Sequence, residues 1–165
     1  MGKNKRKKIR LTGYDYSKPG YYFVTFCTKD MKHLFGEIIA PAAPVGATAP
    51  GRQYMNLTPL GKCVDETIQV ANKGNVIIDK YIIMPNHVHA IIILAAGDSG
   101  DQGRSPLQNV VRNIKSYVRK QAGYDIWHPR FHDHIIRNKD KYALIWNYID
   151  NNPALWEKDK YYSVH

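Results

Sequence analysis

The sequence is poor in several features that mark other classes of protein. It has two cysteines, Cys27 and Cys63, which form no CxxC pair, so neither a thiolate zinc site nor a disulfide framework is expected. Its longest apolar stretch, 90–96, is too short to cross a bilayer. The basic start is not followed by the apolar run of a signal peptide. We therefore expect a cytoplasmic protein with no membrane partner.

Acidic residues are also scarce. Asp and Glu number 14 against 24 Lys and Arg, which gives a formal net charge of +10 in 165 residues. Such an excess favours a polyanionic partner, nucleic acid ahead of an anionic membrane, with solubility alone as the alternative. The length suits a single domain, 1–165. Within it we predict a basic arm at 1–20 and flexible surface loops at 40–52 and 95–104, from their Ala, Pro, Gly and Asp content.

The other segments predict an α+β fold. β-Branched and aromatic runs predict strands at 21–28, 33–38, 76–84, 87–94 and 131–137, the second as hairpin partner of the first. Helices are predicted at 58–72, 105–123 and 139–152, the first two from a Thr or Ser N-cap followed by Pro. Short connections favour antiparallel neighbours. We expect an antiparallel sheet with two helices on one face and a last helix that carries Tyr148.

Two histidines lie at the start of the buried strand 87–94, in the order His87-Val88-His89. Residues i and i+2 of a strand share a face, about 7 Å apart, and converge if the strand is twisted. Buried imidazoles need partners, so the pair indicates a metal site, with two polar residues at a strand edge as the alternative. The similar pair His132 and His134 flanks a charged residue, and we expect it near the rim, ranked lower as a metal site.

Tyr148 is one of twelve tyrosines, and its position singles it out. It lies on the last predicted helix with Asn152 at i+4, on the same helix face. A phenol presented from a rigid helix beside a metal could attack a phosphodiester, and the Asn152 amide could complete a ligand set with open positions. The alternative is that both residues only cap and pack the helix end.

These motifs together resemble one known family. The segment 81–89, ending in Met-Pro-Asn-His-Val-His, resembles the His-hydrophobic-His (HUH) motif of single-tyrosine transposases of insertion-sequence elements, and most of all the REP-associated tyrosine transposases. The segment 148–153, Tyr-Ile-Asp-Asn-Asn-Pro, resembles that family's tyrosine motif. Segments 22–26, 34–36 and 131–137 are similar to its first hairpin and to the stretch before its tyrosine helix. The resemblance spans nearly the whole chain, in order.

The resemblance implies a ferredoxin-like fold and a transposase that cleaves and rejoins single-stranded hairpin DNA through a 5′-phosphotyrosine intermediate. It implies Tyr148 as the nucleophile, with His87, His89 and Asn152 as ligands of Mg²⁺ or Mn²⁺. Relatives are dimers or monomers, so both states stay open here. Three alternatives also stay open: a catalytically inactive, domesticated DNA-binding protein, a metal-dependent single-strand nuclease that uses water, and a non-enzymatic ferredoxin-like module that binds RNA.

Basic residues are the candidates for contacting the DNA backbone. They lie in the N-terminal arm, on one face of the second predicted helix and just before the last one. The predicted DNA-contacting residues are Lys5, Arg6, Lys7, Lys8, Arg10, Arg112, Lys115, Arg119, Lys120 and Arg137.

Overall fold

A four-stranded antiparallel sheet forms the centre of the fold. The computed structural model describes residues 18–40, 53–96 and 105–163. The strands of this sheet are β1 (Gly20–Cys27), β4 (Val76–Ile83), β5 (His87–Leu94) and β6 (His132–Ile136), in the order β4-β5-β1-β6. The helices are α1 (Pro59–Ala71), α2 (Pro106–Ala122) and α3 (Lys139–Asn151). The predicted α+β class with a ferredoxin-like antiparallel sheet is confirmed.

Some of the predicted segments lie outside the described residues. These are the arm residues Lys5, Arg6, Lys7, Lys8 and Arg10, together with most of the predicted loops at 40–52 and 95–104. In the described part of the chain, no helix has the length and apolarity that crossing a membrane requires.

Capping residues determine where the helices α1 and α2 begin and where α2 ends. The Thr58 hydroxyl accepts a hydrogen bond from the Gly61 amide at 3.1 Å, and Pro59 takes the first helical position of α1. A reciprocal capping box formed by Ser105 and Gln108 starts α2. That helix ends at Gly123, whose φ of 78° is accessible to glycine without a steric penalty.

Alternation along the strands gives the central sheet two different faces. On one face, Val24, Val88 and Ile92 are buried in the core that α1 and α2 cover. On the other face, Ile91 packs with Ile149 of α3 in a second, smaller cluster. His87 and His89 alternate with Val88, so their side chains share the face of α3. The last helix therefore brings its residues to the side of the sheet where the two histidines point.

The predicted hairpin partner of the first strand is wrong. Residues 36–39 form β2 (Gly36–Ile39), which pairs with β3 (Tyr54–Leu57) in a separate two-stranded sheet. β1 is flanked by β5 and β6 and has no edge left for a third partner. The connection from Thr28 to Phe35 instead contacts the turn between β4 and β5, where the Phe35 amide donates to the Pro85 carbonyl at 3.1 Å.

Candidate active site

The two histidines of β5 converge below α3. Their side chains are 0% and 1% exposed, and their ring centroids lie 4.4 Å apart, closer than the spacing of i and i+2 side chains along a strand. Burial lowers the pKa of His87 well below its ordinary value, with the charges of His89 and Lys160 adding to the effect. Burial also lowers the pKa of His89, against the opposing influence of Asp159. Both rings are thus held as neutral imidazoles, the form that binds a metal.

One nitrogen of His87 is fixed by the residue before it. The amide nitrogen of Asn86 donates to the carbonyls of Met31 and Tyr161, so its amide oxygen must be the atom that faces the ring. That oxygen lies 2.8 Å from His87 Nδ1 and can only accept, so Nδ1 carries the proton. The other nitrogen, Nε2, then carries a lone pair and no proton. It is buried without a hydrogen-bond partner among the described residues. Asn86, predicted only as a turn residue, therefore sets the ring for ligation.

The hydroxyl of Tyr148 meets His89 of the same chain. His89 Nδ1 lies 2.7 Å from the Thr25 hydroxyl, and its Nε2 lies 3.1 Å from Tyr148 Oη. The Phe23 ring packs edge-on against the Tyr148 ring and stacks at a tilt on His89. The predicted meeting of the last helix with the histidine strand is present within one chain.

A single carboxylate oxygen connects the tyrosine to the predicted amide ligand. Tyr148 Oη donates to Asp159 Oδ2 at 2.6 Å, and the Asn152 amide nitrogen donates to the same oxygen at 2.9 Å. The backbone amide of Tyr161 donates to Asp159 Oδ1 at 2.7 Å. Tyr148 and Asn152 thus share one side of the helix end, as the i+4 spacing predicts.

Charge in this cluster is concentrated on Asp159. Burial alone would raise the pKa of its carboxyl, but the nearby His89 ring, whose Nε2 lies 3.8 Å away, and the hydrogen bonds from Tyr148 and Asn152 hold that pKa well below its ordinary value. The Tyr148 phenol shows the opposite effect, since burial first and then the hydrogen bond to Asp159 raise its pKa. A phenol bound to this carboxylate needs additional positive charge nearby before it ionises at neutral pH.

The site fits a divalent metal. His87 Nε2 and Asn152 Oδ1 are both buried and without hydrogen-bond partners among the described residues, and both are acceptors. Within the described residues, the one group of His, Cys, Asp and Glu that could hold an ion is His87, His89 and Asp159, with ligand atoms within 4.8 Å of one another. Imidazole nitrogen with carboxylate and amide oxygen suits divalent cations such as Mn²⁺ and Mg²⁺.

Three contributors to this site were not predicted as site residues: Thr25, Asn86 and Asp159. Thr25 carried a weak signal, because an alternating strand with one polar position facing inward suggests a buried hydrogen bond. Asp159 carried none, since it follows a short 3-10 helix with no periodic pattern. Its place in the site depends on how the segment after α3 folds back beneath the sheet.

The lower-ranked histidine pair lies close to the site but outside the metal cluster. His132 and His134 belong to the edge strand β6, are exposed, and pair across the strands with Thr25 and Phe23. Neither belongs to the metal-capable group found in the described ranges. Their predicted position near the rim agrees with the structure.

The described basic residues predicted to contact DNA are dispersed. Arg112, Arg119 and Lys120 are exposed on α2, on the sheet face opposite Tyr148. Lys115 is tied to the neighbouring loop, because its ammonium donates to the His128 carbonyl at 2.6 Å. Arg137 is exposed between β6 and α3.

The sequence is similar to known bacterial proteins, over nearly the whole chain in one case and over about half of it in another. The chain is 34% identical over 184 residues to an uncharacterized protein of Haemophilus influenzae, a match that covers 98% of this chain and 95% of that protein. It is 35% identical over 78 residues to a REP-associated tyrosine transposase of Escherichia coli, which covers 47% of this chain and 44% of that protein. No family model matches the sequence.

A solved structure shares the fold. The structure of a REP-associated tyrosine transposase bound to a REP hairpin superposes with a TM-score of 0.60 at 22% identity, covering 92% of this chain and 76% of that one. At this level of identity the match concerns the fold.

Proposed function

The chain belongs to the family of REP-associated tyrosine transposases, and on that premise we propose that it cleaves and rejoins single-stranded hairpin DNA with Tyr148 as nucleophile. The observation that carries the proposal is the contact of Tyr148 Oη with both His89 Nε2 and Asp159 Oδ2, at 3.1 and 2.6 Å. A tyrosine used only for packing needs one partner for its hydroxyl, whereas Tyr148 contacts two members of the group that could hold a metal. The buried acceptor atoms around it suit a metal-assisted phosphoryl transfer.

His87, His89 and Asn152 would hold the metal, with Asp159 as a further oxygen donor. A bound Mg²⁺ or Mn²⁺ supplies positive charge that stabilises the transition state at the scissile phosphate. Asn86 keeps His87 in the tautomer that offers Nε2, and Thr25 orients the His89 ring. The carboxylate of Asp159 holds the Tyr148 hydroxyl and the Asn152 amide nitrogen next to each other, because both donate to the same oxygen.

These groups support a transesterification, in which one ester bond of the DNA phosphate is exchanged for an ester to tyrosine. Tyr148 Oη forms a bond to the phosphorus while the bond to the 3′ oxygen of the neighbouring nucleotide breaks. The phenolic hydrogen, which Tyr148 already donates to Asp159, is given up as the new ester bond forms, and the 3′ oxygen takes up one proton as it leaves, so the net proton transfer is from Tyr148 to that oxygen. The product is a 5′-phosphotyrosine with a free 3′-hydroxyl, which can attack the ester in the reverse direction and rejoin the strand.

The proposed partner is single-stranded DNA folded as a hairpin. Arg112, Arg119 and Lys120 are the described α2 cations available for the phosphates of a stem, and Lys115 shapes the groove beside them. Arg137 and the arm residues 5–10 complete the set that we propose for backbone contact. Binding should weaken steeply as the salt concentration rises.

The deciding experiment is a trap for the covalent intermediate. Short palindromic hairpins with single-stranded flanks are incubated with the protein and Mn²⁺ and then run on denaturing gels. We expect a protein–DNA adduct that disappears in Tyr148→Phe and persists in Tyr124→Phe, an exposed tyrosine outside the site. Cleavage that survives Tyr148→Phe would mean a nuclease that uses water. Absence of any adduct from the hairpins of the source genome would refute strand transfer.

A further inference from the structure

A cleft opens beside Tyr148 on the side of the edge strand β6. Its lining includes Phe23, His132, His134, Tyr148, Lys160 and Tyr161. The half-buried face of Tyr148 borders this cleft, so a strand that reaches the hydroxyl can approach from here. The metal cluster lies behind it, under α3, with side chains almost fully buried.

The histidines of β6 point into this cleft because of the strand register. His132 pairs with Thr25 and His134 with Phe23, and paired residues share a sheet face. Thr25 in turn contacts His89, so His132 stands one strand further out than the metal-facing pair. Both outer rings are exposed, and a neutral imidazole offers an N–H donor to an anion.

Two residues after Asp159 complete the inner wall. The Tyr161 ring lies 4.8 Å from the His87 ring and 6.4 Å from the His132 ring, centroid to centroid. Its hydroxyl is buried without a hydrogen-bond partner among the described residues, in a side chain only 9% exposed. A buried hydroxyl is costly unless something satisfies it, so this atom has a hydrogen bond to offer to a group bound in the cleft.

Lys160 supplies the positive charge of the cleft. Its ammonium lies 4.6 Å from the centroid of the Tyr161 ring and is exposed to solvent. That charge adds to the burial that lowers the pKa of His87 and His89, which places it within electrostatic range of the metal-facing pair. Among the described residues, Asp133 is the one carboxylate in the lining of the cleft, and Lys141 and Lys160 outnumber it there.

We propose that Lys160, His132 and Tyr161 form a phosphate-binding subsite that holds the single strand beside Tyr148. The proposal rests on the proposed function, since it assigns the route by which the strand reaches the nucleophile. An ammonium, an imidazole N–H and a phenol O–H together match the acceptors of a phosphodiester. The subsite acts on a single strand of any sequence, because it contacts the backbone and not the base edges.

The test measures binding of a plain single strand, apart from cleavage. The parent is Tyr148→Phe, which cannot form the ester, and the probe is fluorescent oligothymidylate titrated by anisotropy over a series of salt concentrations. In this parent, Lys160→Ala should lower affinity roughly tenfold and reduce the slope of log K against log salt by about 0.7, the value for one lost single-strand phosphate contact. His132→Ala and Tyr161→Phe should each lower affinity several-fold.

The matched control is Lys62→Ala, which removes the same charge from an exposed position on α1, on the other face of the sheet. It should change affinity and slope little. Thermal unfolding should be unchanged in Lys160→Ala and Tyr161→Phe, and neither substitution should weaken Mn²⁺ binding, which separates loss of the subsite from loss of the fold.

The outcomes separate this proposal from the one on which it rests. Oligothymidylate binding with the parent's affinity and slope in both Lys160→Ala and Tyr161→Phe would overturn the subsite, whatever the adduct assay gives. An equal effect of Lys62→Ala would also overturn it, because the loss would then be one of overall charge. Failure of the proposed function appears separately, as absence of the adduct in the unmodified protein.

Discussion

Replacing Asp159 by Ala is the sharpest test of how the site is built. The Asp159 side chain is 1% exposed, and its two oxygens accept from Tyr148 Oη, the Asn152 amide and the Tyr161 backbone at 2.6, 2.9 and 2.7 Å. The substitution leaves all three donors without this acceptor. Asn152 is fully buried, so water cannot easily replace the carboxylate there.

Two opposing effects determine how much Asp159→Ala lowers the free energy of unfolding. Hydrogen bonds to a charged acceptor contribute about 1.5–3 kcal/mol each, so three of them total about 5–9 kcal/mol. Removing a buried carboxylate also relieves its desolvation, which offsets several kcal/mol of that sum. We expect the free energy of unfolding to fall by about 2–4 kcal/mol. With a urea m-value of about 2 kcal/mol/M, the unfolding midpoint should fall by about 1–2 M.

The assay is urea unfolding in EDTA, followed by the fluorescence of the three tryptophans. Asp150→Ala is the matched control, because Asp150 forms a 2.8 Å ion pair with Lys80 and its side chain is 39% exposed. Exposed pairs of this kind contribute at most about 1 kcal/mol. If Asp159→Ala shifts the midpoint no more than Asp150→Ala does, Asp159 does not organise the site as described.

Three further predictions concern packing, thiol reactivity and metal binding. Gly61→Ala should destabilise the fold although Ala is the better helix former, since its Cβ would lie 2.0 Å from the Phe35 carbonyl oxygen. Thermal melting checks this prediction, and a gain in Tm would contradict it. Burial raises the pKa of Cys27 to about 11, so iodoacetamide at neutral pH should modify Cys63 first, as mass spectrometry would show. Mn²⁺ at about a hundredfold excess over its Kd should raise the free energy of unfolding by about 2.7 kcal/mol, which a rise in melting temperature would show. If Mn²⁺ stabilises His87→Ala equally, the ion binds elsewhere.

Much of the fold was predictable because its elements begin and end with strong local signals. Thr58 with Pro59, Ser105 with Pro106, and Gly123 each mark a helix end by side-chain or backbone chemistry that needs no distant partner. A strand was predicted over 33–38, but its true partner β3 was not, because β3 is only four residues long. Nothing local distinguishes such short strands from loop.

The same distinction applies to the site. The positions of His87 and His89 follow from strand alternation, and those of Tyr148 and Asn152 from helix periodicity, so both pairs were predictable as shared faces. Asp159 and Asn86 were not, since their roles depend on where the segment after α3 docks. That docking is a tertiary event, made by contacts such as the one between the Asn86 amide and the Tyr161 carbonyl, 75 residues apart in sequence.

The amide of Asn86 therefore has a consequence for the order of events during synthesis. Its oxygen accepts from the His87 ring, and its nitrogen donates to the Tyr161 carbonyl and the Ser163 hydroxyl. A ribosome makes the histidine strand long before it makes residues 159–163, so a nascent chain can complete its sheet while the centre stays unfinished. If the chain cleaves DNA as proposed, cleavage can begin only after residues 159–163 have emerged from the ribosome and docked on Asn86.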